Sequence, residues 1–390
     1  MHTEVTAAVD DARLAGPGSG WDRVRRIAPW PDLLASWLVA RGVVGVALLL
    51  VHYVQQEVQA REGVHLRTVS LLGWDAAWYD RIAISGYDAQ PTDALRFFPL
   101  VPLLARGVGT LLGGHPGLAL LLLANVGALG YAALLHRLAL AEGLGEATAR
   151  RVLWVAALAP AGFVLVMGYS EATYGLLVTG AFLALRSRRW TVAAALGLLA
   201  GTARPTGVLL ALPAAIEGLR GLRLAAVREL LGRALAVLAP ITGLAGYLLW
   251  SQLHEGDWRL PFTVQTGAGL RGGLLFDTRH DLGFALRALP DHVAGATLHL
   301  PWIPVALALL VVAARRLPAS YPVFATATLV LALTAKELSS FERYTFGAVP
   351  LILAAALVCG GQLRWRAVLT VAPALLGAYA TLAFLGLYTP

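Results

Sequence analysis

The run Leu118-Ala-Leu-Leu-Leu-Leu-Ala-Asn-Val-Gly-Ala-Leu-Gly-Tyr-Ala-Ala-Leu-Leu135 carries no charged side chain. At 1.5 Å per residue it makes a helix about 27 Å long, close to the roughly 30 Å hydrocarbon core of a bilayer. Comparable apolar runs lie on either side of it: Leu33–Val54 before it, then Val152–Met167, Tyr174–Leu185, Thr191–Ala203, Thr206–Ile216, Ala234–Ser251, His292–Ala314, Tyr321–Ala335, Thr345–Cys359 and Val368–Leu387. The expected fold is therefore an all-α polytopic membrane protein of about eleven transmembrane helices, several too short to cross without a thinned bilayer or a bent neighbour.

Composition supports a membrane solvent over a set of soluble domains. The chain has 390 residues, of which 58% are hydrophobic and only 14% charged, and its mean hydropathy is +0.68. The net charge of +8 does not point to nucleic acid, because Lys336 is the one lysine and the arginines gather at the ends of apolar runs. Arginines there orient helices and meet anionic headgroups. The single cysteine, Cys359, excludes an internal disulfide and sits inside an apolar run. The first thirty residues lack the pattern of a cleavable signal peptide, so the first span reads as a retained anchor.

The positive-inside rule sets the orientation. Residues 1–31 form a cytoplasmic tail ending in Arg23, Arg25 and Arg26, and residues 32–390 form one membrane domain. A first outer loop covers 55–117 and a late outer loop 252–291. Phe97–Leu112 is apolar but short, and Pro99, Pro102 and Arg106 interrupt it, so it reads as a helix lying along the outer face. Counting it as a span would place Arg137, Arg150 and Arg151 outside and invert every later loop.

The chemistry-bearing residues fall on that outer side. In Leu72-Gly-Trp-Asp-Ala-Ala-Trp-Tyr-Asp-Arg-Ile-Ala-Ile-Ser-Gly-Tyr87, a helix over the central residues puts Asp75, Trp78, Tyr79 and Ile82 on one face. Trp74, Trp78, Tyr79 and Tyr87 suit a membrane–water boundary, with Asp80, Arg81 and Arg96 close by. Tyr169, Ser170 and Glu171 precede one apolar run, Arg204-Pro205 separates two, and Glu342 and Arg343 precede another. Arginine at an outward helix end opposes the orientation rule, so Arg204 and Arg343 need a partner. A lipid phosphate is one, bound bidentately by guanidinium; a nearby carboxylate, Glu171 or Glu342, is the other. Pro205 disfavours helix at Arg204, which fits either a broken helix pair projecting Arg204 into a cavity or a simple tight turn. No phosphate-binding glycine loop and no Cys/His metal cluster appears, and no cofactor or metal is expected. His254, His280 and His292 read as solvated loop histidines, and Gly267–Gly273 as a mobile loop or lid.

Trp74-Asp75-x-x-Trp78-Tyr79-x-x-Ile82-Ala83-x-x-Gly86-Tyr87, followed by Phe97-Phe98-Pro99-Leu100-x-Pro102, resembles the PIG-V type mannosyltransferases and their bacterial relatives. Tyr169-Ser170-Glu171, Arg204-Pro205-x-Gly207, Gly256-Asp257 with Phe262, and Arg343-Tyr344 ahead of Pro350 are similar to later motifs of that family, in the same order. The resemblance implies a GT-C glycosyltransferase fold and a polyprenyl-phosphate sugar donor. It also implies a lipid or glycan acceptor and a catalytic carboxylate in the first outer loop, here Asp75. Trp74, Trp78, Tyr79, Arg81, Tyr87, Tyr169, Ser170, Glu171, Arg204, Glu342 and Arg343 become the expected substrate-binding residues. The Ala/Arg/Leu-rich, nearly lysine-free composition is that of a GC-rich bacterium, so a bacterial plasma membrane with an extracytoplasmic site is the expected setting. The rival expectation is a polytopic transporter or lipid flippase, which also gathers charge near broken helices.

The topology has a direct test. With Cys359 removed, cysteines at Ser85 and Glu255 should react with an impermeant thiol reagent on intact cells, while one at Ser187 should react only after lysis. Labelling at Ser187 from outside would invert the assignment.

Overall fold

The computed structural model describes residues 29–62, 68–222, 226–267, 296–334, 338 and 340–389. The N-terminal tail apart from its last residues, most of Gly267–Gly273, His280, His292 and Lys336 lie outside the described residues. Within them every regular element is helical. The α-helices are α1 (Trp30–Glu62), α2 (Asp75–Ser85), α3 (Leu100–Leu111), α4 (Pro116–Ala141) and α5 (Glu146–Leu158). They continue with α6 (Glu171–Arg186), α7 (Trp190–Ala203), α8 (Ala211–Leu219), α9 (Val227–Glu255) and α10 (Leu260–Gly267). The chain closes with α11 (Trp302–Arg316), α12 (Ser320–Ala332), α13 (Phe341–Gly347), α14 (Val349–Val358) and α15 (Gln362–Phe384). Short 3₁₀ segments at Thr92–Arg96, Pro160–Leu165 and Pro205–Leu210 fill the breaks.

Four of these helices, α1, α4, α9 and α15, are long and apolar enough to cross a membrane, and α13 with α14 makes a fifth candidate bent by 79°. That is fewer than the eleven spans expected from the apolar runs. Proline breaks account for much of the difference. Val152–Met167 divides at Pro160, Thr345–Cys359 divides ahead of Pro350, and Thr191–Ile216 divides at Pro205. Pieces such as Trp190–Ala203 and Pro205–Leu219, and the separate helix Ser320–Ala332, are apolar but shorter than a bilayer crossing. Helix α3, expected to lie along the surface, has only 12 residues. Its buried side is Val101, Pro102, Ala105 and Gly109, with Leu103, Leu104 and Leu111 exposed on the other.

Long helices show the same two-sidedness. On α1, Ala40, Val44, Ala47 and Val51 pack against Leu376, Tyr379, Ala380 and Ala383 of α15, while Leu38, Val46 and Leu49 are exposed. Exposed leucine rows of this kind suit a hydrocarbon solvent, where they cost nothing. Inside, α4, α5, α6, α12 and α14 share one core through Leu135, Val152, Val178, Phe182, Phe324 and Leu353.

Breaks inside an apolar bundle free carbonyls that need donors. Arg41 on α1 supplies one: Nη2 donates to the Leu165 carbonyl at 3.0 Å and Nε to Asn125 Oδ1 at 2.9 Å. Asn125 in turn donates to the Val166 carbonyl at 3.1 Å. Neither residue stood out in the sequence, although a charge within an apolar run was the signal.

Helices α7 and α9 approach closely through glycines. A Cβ on Gly201 would lie 2.3 Å from the Pro240 carbonyl oxygen, and one on Gly243 would lie 2.2 Å from that of Leu198. Small residues at such crossings let backbones touch. Gly201→Val should therefore lower the thermal midpoint in detergent by several degrees, from overpacking of about 1–3 kcal/mol. Gly246→Val, where a Cβ meets nothing within 4 Å, should leave it unchanged.

Candidate active site

Helix α2 starts at Asp75, and the residue before it, Trp74, takes a left-handed backbone with φ 53°. That conformation is costly for a bulky side chain, on the order of 1–3 kcal/mol. It is held because the Trp74 indole N–H donates to the Ala383 carbonyl of α15 at 3.0 Å. Trp74 thus anchors the start of α2 to the last helix, and its polar atom is spent there and not on the arginines. Its backbone turn makes Asp75 the first helical residue, where the helix dipole favours a carboxylate. Glu171 has the same place at the start of α6.

Arg343 joins the two. Its Nη1 donates to Asp75 Oδ2 at 2.8 Å, and its Nε lies 3.2 Å from Glu171 Oε1, outside hydrogen-bonding geometry. Arg204 Nη1 donates to the same Glu171 oxygen. The chain Asp75–Arg343–Glu171–Arg204 balances two positive against two negative charges. It is well removed from solvent, with side-chain exposure of 9% at Arg343, 8% at Glu171 and 13% at Arg204, against 32% at Asp75. Tyr169 backs it, accepting the Asp75 backbone N–H at 3.4 Å with Arg343 5.4 Å above its ring. The Tyr79 hydroxyl donates to Ser170 Oγ at 3.0 Å, and burial pushes that phenol's pKa upward.

Both sequence alternatives for the arginines are resolved in part. Each meets a carboxylate, but Arg343 takes Asp75 and Glu171, not its neighbour Glu342. Arg204 has extended backbone, φ −154° and ψ 149°, between α7 and the Pro205 segment, and its side chain lines a cavity. Two short apolar helices, Trp190–Ala203 and Pro205–Leu219, meet at this break, and Arg204 at their junction faces the cavity.

That cavity lies beneath the ion pairs, with a volume of about 50 Å³. Glu171, Arg204 and Arg343 cap it, and Ala156, Val164, Leu165, Phe324 and Phe346 give it an apolar wall. Two buried polar atoms at the cap have no hydrogen-bond partner, Arg343 Nε and Glu171 Oε2.

Other expected residues stand apart. Glu342, grouped with the site on sequence, is fully buried and bonds the Tyr388 hydroxyl and His299 Nδ1, the latter at 2.6 Å. Successive helical residues point to different sides, so Glu342 faces the chain terminus while Arg343 faces Asp75. Arg81 is exposed: its Nε donates to its own helix at Ala77, and its guanidinium sits 4.2 Å from the Trp78 ring. It does not reach the ion-pair chain. Trp78 stacks on Phe97 at 5.6 Å, and Tyr87 donates to the Phe97 carbonyl at 2.5 Å while facing Tyr247 and Trp250. Arg96, which the sequence marked only as close by, lies over Trp78 and within electrostatic reach of Asp75. Among the described residues no group of three His, Cys, Asp or Glu is placed to hold a metal.

No protein-family profile and no curated protein matches the chain. Among solved structures it is similar to the archaeal oligosaccharyltransferase AglB from Archaeoglobus fulgidus in complex with an inhibitory peptide and a dolichol-phosphate. That likeness has a TM-score of 0.42 at 13% identity and covers 89% of this chain and 55% of that one. It is also similar to the Archaeoglobus fulgidus oligosaccharyltransferase in complex with Zn and sulfate, with a TM-score of 0.41 at 15% identity, over 88% and 52% of the two chains. The chain thus spans about half the length of these two proteins.

Asp80 gives a pH prediction. Its Oδ1 is buried without a partner against α4, and desolvation raises its pKa above the ordinary value of 3.8. A carboxyl whose folded pKa is raised contributes nothing below the unfolded value, destabilises increasingly as pH rises from there through the folded pKa, and exacts its full penalty above it. Asp80→Asn should therefore raise the thermal midpoint at pH 7, with the gain shrinking as pH falls toward 4. A gain that is constant with pH would mean that charge is not the cause.

Proposed function

We propose that the chain is an integral-membrane glycosyltransferase that moves a sugar from a polyprenyl-phosphate donor to a lipid or glycan acceptor. On the motif resemblance the sugar is mannose. The proposed setting is the extracytoplasmic face of a bacterial plasma membrane, in a GT-C type fold whose short helices complete about eleven spans. The observation that carries this reading is Arg343 bridging Asp75 and Glu171, with Arg204 alongside, at the cap of an apolar cavity.

A lipid phosphate has the matching chemistry: an anionic head for two guanidiniums, with apolar side chains beside them for the start of its chain. Each guanidinium has five donors, so phosphate oxygens can be added to the bonds already made to carboxylates. The unpartnered Arg343 Nε is one such donor, and Glu171 Oε2 is an acceptor for a hydroxyl of the donor sugar. Asp75, the most exposed member of the chain, is the base. In the resting site its charge is neutralised by Arg343, and a donor phosphate that draws on Arg343 loosens that hold. Asp75 then takes the proton of the acceptor hydroxyl as that oxygen bonds to the anomeric carbon. The bond from that carbon to the phosphate oxygen breaks, and polyprenyl phosphate leaves with the electron pair. Arg204 and Arg343 stabilise the charge that grows on the leaving phosphate. Tyr79, Tyr169 and Ser170 hold α2 and the start of α6 in register, and Trp78 with Arg96 borders the site. A positioned base contributes about 10²–10⁴-fold.

Purified protein, radiolabelled polyprenyl-phosphate-mannose and membrane lipid extract test this. Asp75→Asn should lower transfer by about two to four orders of magnitude with little change in donor affinity, while Asp80→Asn should stay active. Arg204→Lys and Arg343→Lys should keep the buried charge and so the fold, yet lose donor affinity, because lysine lacks the planar fork. Normal transfer by Asp75→Asn, or normal donor use by both lysine variants, would overturn the assignment. Lipid movement across vesicles without transfer would put a flippase in its place.

A further inference from the structure

A second cavity, of about 290 Å³, lies between the segment Tyr87–Leu95 and the C-terminal end of α9. Tyr87, Asp88, Gln90, Thr92, His254 and Glu255 line it. Rings continue from it along α9: His254 stacks on Trp250 at 4.8 Å, Trp250 on Tyr247 at 5.6 Å and 8°, and Tyr87 lies 5.0 Å from Trp250. Its walls are held by backbone-directed bonds. The Tyr247 hydroxyl donates to the Leu95 carbonyl at 2.8 Å, and the Tyr87 hydroxyl donates to that of Phe97.

The carboxylates and the imidazole set the character of the lining. His254 Nδ1 lies 3.0 Å from the Trp250 carbonyl, which can only accept, so Nδ1 carries a proton and Nε2 is the ring nitrogen left for a ligand. Asp88 and Glu255 add carboxylate acceptors. A lining rich in acceptors and negative charge repels phosphate and suits a ligand that donates hydroxyl hydrogens. The Tyr87 ring, which lines the cavity beside these acceptors, suits the C–H surface of a pyranose.

The segment that lines the cavity also leads to the ion-pair site. Leu95 lines the cavity, and the next residue, Arg96, is within electrostatic reach of Asp75. Phe97, whose carbonyl fixes Tyr87, packs on Trp78 at 5.6 Å and on Tyr79 at 5.2 Å, both from the helix that Asp75 begins.

We infer that this cavity is the acceptor subsite and that the acceptor presents a neutral, hydroxyl-rich glycan to it. This rests on the glycosyl-transfer reading above and adds to it the chemical class of the acceptor and its place.

The test uses the full chain in nanodiscs with α-1,6-mannobiose as probe, and ethanolamine and inorganic phosphate as controls. Saturation-transfer NMR should detect the disaccharide and neither control. The double variant His254→Ala/Glu255→Gln, both exposed positions, should weaken disaccharide binding about tenfold, as expected for two lost hydrogen bonds. In the transfer assay it should raise the acceptor KM while leaving the donor KM as it was. Binding of ethanolamine in place of the disaccharide, or an unchanged acceptor KM in an active double variant, overturns the subsite. Disaccharide binding that the double variant loses, in a protein that transfers no sugar, keeps the glycan site and overturns only the donor chemistry.

Discussion

Arg343 sits between Asp75 and Glu171 with almost none of its side chain in contact with solvent, and the arrangement around it follows from that burial. Removing an ion from water costs several kcal/mol, and the cost is recovered only when opposite charge and good geometry surround it. Here the return comes from carboxylates at the starts of two helices, α2 and α6, where the dipole adds about 0.3–1 kcal/mol each. Arg204 shares Glu171 and completes the neutral set. Losing any member leaves the others buried and unbalanced, so the four segments that carry them are tied to one geometry.

Helix breaks deliver these charges. An unbroken apolar helix would bury Arg204 and Arg343 at arbitrary angles against hydrocarbon. The Pro205 break gives Arg204 extended backbone and turns it to the cavity. Arg343 is carried by α13, a short helix that meets α14 at a bend of 79°. The Pro160 break leaves carbonyls that Arg41 and Asn125 satisfy from neighbouring helices. Behind Arg343, the buried bonds of Glu342 to His299 and Tyr388 fasten α13 to the segment before α11 and to the chain's last residues. The same breaks that shorten the helices below a bilayer crossing thus build the site.

The two cavities differ in their polar groups. Two guanidiniums and the Glu171 carboxylate line one beside apolar residues, and the carboxylates of Asp88 and Glu255 with the His254 imidazole line the other. The segment from Tyr87 to Phe97 runs between them, and Phe97 links its packing to α2. A reaction joining an anionic lipid-borne group to a neutral hydroxyl needs both environments close together and chemically distinct.

The membrane character, the placing of Asp75, Glu171, Arg204 and Arg343 at helix ends, and the value of Pro205 as a break were legible from sequence. Apolar run length, charge at an unexpected end and proline chemistry are local properties. Partner choice was not legible. Arg343 bonds Asp75, 268 positions away, and passes over Glu342 beside it, because adjacent helical residues face different sides. Arg81 and Trp74 shared the motif of Asp75, yet one faces away on the surface and the other is spent on Ala383. The span count also depended on tertiary structure, since a proline in an apolar run can kink a helix or end it. Neighbours that satisfy the freed carbonyls, as Arg41 and Asn125 do, decide which.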